Sequence, residues 1–125
     1  MNEEQRIQQK IQEVFDNEEV LGKVFSAETP NEMVNVLKEN GVIFVDVSDE
    51  DVFEAFQNAK RAQTDELTED DLEDVAGGVY LALKAGAFYF AVSGSVGAAL
   101  CVAGGVALIG LATYAAYRYI KKRTA

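Results

Sequence analysis

The chain has 125 residues, enough for one small domain or two modest pieces, and carries 21 acidic and 11 basic side chains for a net charge of −10. A single cysteine, Cys101, with no histidine and no tryptophan, excludes an internal disulfide framework, zinc sites of the Cys/His kind and catalytic triads or Cys–His pairs. Carboxylates are plentiful but none stands in an evident pocket motif, so no enzymatic activity, catalytic residue, metal, cofactor or nucleic-acid partner is expected.

The totals average two unlike halves. Residues 1–78 hold all 21 acidic side chains and six basic ones, a balance of −15, whereas residues 79–125 hold five basic side chains and no acid. An asymmetry this complete describes organisation: the first half is suited to water, the second to an anionic surface. The first residues, Met1-Asn2-Glu3-Glu4-Gln5-Arg6, are polar and acidic and do not resemble a general secretory signal.

In chain order, "EEQRIQQKIQEVF" (3–15) sets Ile7, Ile11, Val14 and Phe15 on one helical stripe, with Glu3 and Glu4 at the dipole's positive end. Asp16-Asn17 interrupts it, and a second helix is predicted near 17–26 around Val20, Leu21, Val24 and Phe25, weakened a little by Gly22. Thr29-Pro30-Asn31-Glu32 is a strong helix start: a capping residue, proline at the first helical position, and glutamate to complete a capping box. That helix carries Met33, Val34, Val36 and Leu37 and closes at Asn40-Gly41. "VIFVDV" (42–47) is β-branched and aromatic, but a lone strand has no evident partner, so it is read as an extended connector burying Ile43 and Phe44. Ser48-Asp49-Glu50-Asp51 opens a helix with Val52, Phe53, Ala55 and Phe56. Residues 1–62 therefore read as a small helical bundle, and 63–78 as a polar linker with a short amphipathic helix capped at Thr68 and bearing Leu72 and Val75. A bundle of about 60 residues buries only about 60 % of its unfolded surface, so it is marginal alone.

At Gly77-Gly78 the character of the chain changes. From Ala85 to Tyr117 there is no charged residue, and a membrane span needs only about 20 apolar residues. One continuous helix of that length would reach about 50 Å, longer than the bilayer core. The favoured solution is a helical hairpin, with helices near 79–92 and 96–120 and a break at Ser93-Gly94-Ser95; a single tilted or kinked helix is the other, and Gly104-Gly105 offers a second hinge. The expected fold is thus all-α, ending in a Gly/Ala-rich membrane-type helix or helical hairpin. Small residues four apart, such as Ala99/Ala103 and Ala112/Ala116, permit self-association in lipid. Tyr114, Tyr117 and Tyr119 beside Arg118, Lys121, Lys122 and Arg123 form a candidate interfacial belt and basic anchor for anionic lipid, with Tyr80, Phe88, Tyr89 and Phe90 towards the other end. Cys101 reads as a small buried thiol or, more sharply, as one end of a thioether to dehydrated Ser93 or Ser95.

Two stretches carry a resemblance. "FDNEEVLGKVFSAETPNEMVNVLKENGVIF" (15–44) resembles the leader domain of the nitrogen-fixation-related, nif-eleven-type leader peptides, and "ELTEDDLEDVAGG" (66–78) resembles a double-glycine leader terminus. Counted back from a cut after Gly78, Leu67, Leu72 and Val75 fall at minus twelve, minus seven and minus four, the apolar anchor positions of that motif. The resemblance covers roughly residues 10–78. It implies a leader (1–78) and a hydrophobic cationic core peptide (79–125), with a cleavage site at Gly77, Gly78 and Val79. It also implies a papain-like peptidase fused to an ABC exporter, which would supply the nucleophile and recognise Leu67, Leu72 and Val75.

The residues fit that chemistry independently. Leu72 and Val75 share a helix face that can dock in a groove, and two glycines without Cβ can thread a channel that excludes side chains. A flexible hinge between two permanent halves is the alternative. The expected function is a precursor made in the bacterial cytoplasm, whose core is secreted and permeabilises target-cell membranes. A tail-anchored protein with a cytosolic interaction module, or a precursor whose leader docks a modifying enzyme, are the other readings.

Overall fold

The computed structural model describes residues 3–62, 86–93 and 97–124. Among them lie helices α1 (Glu3–Phe15), α2 (Glu18–Ser26), α3 (Pro30–Glu39), α4 (Asp49–Ala62) and α5 (Gly105–Thr124), and strands β1 (Val42–Val45), β2 (Phe88–Ser93) and β3 (Gly97–Ala103).

The first four helices form where their local signals stand. The apolar stripe of α1 is buried at Ile7, Ile11, Val14 and Phe15. Asn17 caps α2, its Oδ1 accepting from the amides of Glu19 at 2.9 Å and Val20 at 3.4 Å. Thr29 caps α3 by accepting from the Glu32 amide at 3.2 Å. The carboxylate of Glu32 reaches the Glu28 amide at 3.2 Å rather than that of Thr29, so the box closes one residue early. Asn40 ends the helix and Gly41 takes the left-handed conformation, φ 81°. Ser48 caps α4 through the Asp51 amide at 3.1 Å, and α4 runs from three acidic residues in its first turn to Lys60 and Arg61 in its last, in accord with the helix dipole.

The all-α expectation is overturned by a three-stranded mixed sheet in the order β1-β3-β2. Residues 42–45 are no connector: β1 pairs parallel with β3, Val42 opposite Leu100 through Val45 opposite Ala103. The partner missing from the local sequence arrives from the far half of the chain. The expected membrane hairpin is corrected in the same way. Where helices were predicted near 79–92 and 96–120, β2 runs antiparallel to β3, Phe88 opposite Val102 through Ser93 opposite Gly97. Two physical causes are visible. Phe, Tyr and Val at 88–92 and Val102 suit a pleated surface, and Gly97 and Gly104 hold φ of 77° and 94°, which stop a right-handed helix at each end of β3. Helix follows only from Gly105, and no helix among the described residues is long and apolar enough to cross a membrane.

One core draws on both halves of the chain. Phe15, Leu21, Val24, Met33, Leu37 and Phe56 from the first half meet Leu100, Val102, Leu111, Ala112, Ala115 and Ala116 from the second, all at 0 % exposure. Phe56 sits at the centre of an aromatic cluster, its ring 6.5 Å from Phe15, 5.8 Å from Phe25 and 6.4 Å from Phe44. The alanines of α5 leave it thin enough to lie close along α4. Their spacing four apart thus serves contact with a protein core, which makes the same demand for small side chains as contact in lipid.

Candidate functional site

The chemistry that distinguishes this chain is the meeting of its acidic first half with its uncharged and basic second half. Backbone joins them first. Beyond the β1–β3 ladder, the Leu100 amide donates to the Gly41 carbonyl at 2.7 Å, at the point where Gly41's positive φ turns the chain from α3 into β1.

Side chains among the described residues join them as well. Asp16, in the break between α1 and α2, offers Oδ1 to the Arg118 Nε at 2.8 Å and to the Tyr114 hydroxyl at 3.1 Å. Tyr114 and Arg118 stand four apart on α5 and so share the face that Asp16 meets. Burial pushes the Tyr114 phenol up to about 12; the Asp16 charge and hydrogen bond add to the rise and Arg118 opposes it. Phe25 of α2 stacks on Tyr119 at 4.7 Å between centroids and 27° between planes, and Lys60 of α4 lies 5.6 Å from the same ring centroid. At the other end of the sheet the Arg6 guanidinium lies 5.3 Å from the Phe90 ring centroid.

Several residues expected at a membrane interface therefore face protein in this fold. Tyr117 is 4 % exposed, Arg118 is paired with Asp16, and Tyr119 stacks on Phe25; Lys121 is exposed, its ammonium 5.7 Å from the Tyr117 ring centroid on the same helix. The side chains of Lys122 and Arg123 lie outside the described ones. So do the residues of the cleavage reading: Leu67, Leu72, Val75, Gly77, Gly78 and Val79 all fall between the end of α4 and Gly86. Sequence reasoning missed Asp16 and Phe25 as partners of the second half. One signal pointed there: with no acid after residue 78, any carboxylate neutralising Arg118 had to come from the first half.

Cys101 is buried in β3, its thiol donating to the Ala99 carbonyl at 3.8 Å, and burial pushes its pKa up. A thiol raised in this way stays protonated and a poor nucleophile near neutral pH. Ser95, and the side chain of Ser93, lie outside the described parts. A cleft of about 340 Å³ between Lys10, Glu13, Asn17, Glu39, Asn40 and Ala98 carries charges of both signs and no nucleophile. Among the described residues no group of three His, Cys, Asp or Glu could hold a metal ion. No protein-family model, no curated protein and no solved structure matches the chain.

Proposed function

We propose that the chain is the precursor of an exported, membrane-active antimicrobial peptide. In this reading it is made in the bacterial cytoplasm and cut after Gly78 by the peptidase domain of an ABC exporter. Residues 1–78 are the leader, of the nif-eleven type, and Val79–Ala125 is the cargo.

The observation that carries this reading is where the second half spends its apolar surface. Phe88, Leu100, Val102, Leu108 and Leu111 are buried in a core shared with the acidic half, and Asp16 neutralises Arg118. A segment with 33 uncharged residues in a row would otherwise bind lipid or itself. Held by a half of charge −15, it is masked both by packing and by repulsion from anionic headgroups. Separation from residues 1–62 opens the β1 side of β3 and the covered face of α5 together, and this is the form that meets the target membrane.

Mass spectrometry of the producer's culture supernatant tests the reading. A species beginning at Val79 is expected, and Gly78→Val, which puts a β-branched side chain into the narrow peptidase channel, should abolish it. Full-length protein retained in the cells, with no Val79 species outside them, would overturn it. A mass offset on the 79–125 species would assign an additional modifying enzyme to the pathway.

A further inference from the structure

We infer that cutting the chain does not by itself release its second half: residues 1–62 form a binding surface that keeps residues 86–124 as a non-covalent partner after scission. The inference rests on the reading that the chain is cut after Gly78. It adds a property which that reading does not contain, since a leader joined to its cargo only through the peptide bond would let go at the cut.

The contacts that cross between the two parts are those of one fold and none depends on covalent continuity. β1 supplies the whole of one neighbour of β3, in a four-pair parallel register from Val42–Leu100 to Val45–Ala103. Losing it would leave a central strand with a bare edge. The Leu100 amide is held by the Gly41 carbonyl at 2.7 Å. α4 packs along α5, and α1 and α2 reach it as well, burying Ala107, Leu108, Leu111, Ala112, Ala115 and Ala116. Asp16 gathers Arg118 and Tyr114, and Phe25 stacks on Tyr119.

The surface on residues 1–62 therefore has three separate recognition elements: a strand edge, an apolar groove edged by the Phe25 ring, and a carboxylate. Its occupant is a strand–helix segment carrying an arginine four residues after a tyrosine. Release then requires the occupant to be unfolded off this surface, work that an exporter pulling on the cut peptide can perform. Until then the cut leader remains an inhibitor of its own product.

The test uses the full chain with a site-specific protease sequence inserted between Gly78 and Val79, folded first and cut afterwards. The two fragments should co-elute in size exclusion at micromolar concentration, keep the circular dichroism of the uncut protein, and part only in denaturant. In the cut Asp16→Ala protein the dissociation constant should rise at least tenfold; should that variant not fold when uncut, Arg118→Gln takes its place with the same expectation. Separation of the parent fragments in native buffer, or an unchanged dissociation constant in the variant, would overturn the inference. Because an added protease makes the cut, these outcomes are independent of processing at Gly78 in the cell, which the supernatant mass tests by itself.

Discussion

Asp16→Ala should loosen the whole protein although Asp16 sits between two helices at the surface. The substitution removes the acceptor of two hydrogen bonds, to Arg118 Nε at 2.8 Å and Tyr114 Oη at 3.1 Å. Hydrogen bonds to charged groups contribute about 1.5–3 kcal/mol when buried, and exposed ion pairs about 0.2–1 kcal/mol. Here the Arg118 and Asp16 side chains keep 33 and 35 % of their exposure, which places each contact at about 1 kcal/mol and the pair at about 2 kcal/mol. For a chain of this size that lowers the melting temperature by about 6–10 °C. Thermal melts followed by circular dichroism at pH 7 measure it, with Asp16→Ala, Arg118→Gln and the double variant closing a cycle. The coupling between the two sites should be about 1 kcal/mol. A shift below about 2 °C, or single effects that add within about 0.3 kcal/mol, would refute the reasoning and leave the contact a surface pair without energetic weight.

Three further outcomes follow from the same geometry. Tyr114 has its folded pKa raised from the ordinary phenol value of about 10 to about 12, so between those values the unfolded chain gives up the proton first; stability is full below about pH 10 and falls as pH rises through about 12, and Tyr114→Phe should flatten that part of an alkaline denaturation profile. Phe56→Ala empties the centre of a four-ring cluster and should cost about 3–5 kcal/mol in urea unfolding, whereas a loss under 1 kcal/mol would mean that the cluster collapses freely. Asn17→Ala removes the acceptor of two amide hydrogen bonds at the start of α2 and should cost about 1 kcal/mol, with Asn17→Asp retaining most of it.

The helices of the first half were legible because their causes are local. The stripe at Ile7, Ile11, Val14 and Phe15 and the caps at Thr29 and Ser48 all act within a few residues, and the structure shows each in place, whereas Asn17, read only as part of a break, turns out to cap α2. The sheet was not legible because its cause is distant. "VIFV" has the composition of a strand, but a strand is stable only with a neighbour, and that neighbour begins at Gly97. The uncharged stretch from Ala85 to Tyr117 misled for a related reason. A segment that packs much of its apolar surface against protein, while Val92, Val106 and Ile109 stay exposed, and one immersed in lipid can share one composition, so composition alone does not say which solvent it has. The positive φ of Gly97 and Gly104 decides for strand over helix; Gly104 was read as a hinge within a helical segment, and Gly97 only as a small residue. The interface was half legible: the basic, tyrosine-rich end of the chain was singled out, but its counterpart Asp16 was read as a helix breaker.

The parallel pairing of β1 with β3 also sets a clock on synthesis. Val42 and its partner Leu100 stand 58 positions apart, and at about 5–20 residues per second a ribosome takes about 3–12 s to cover that distance. For those seconds α1 to α4 emerge with the edge of β1 open and the face that will receive α5 uncovered. The acidic part is thereby made first, and the residues that cover the apolar part are already outside the ribosome when it emerges. A chain with its two parts in the reverse order would expose its greasiest stretch first, for the same number of seconds, with nothing to receive it.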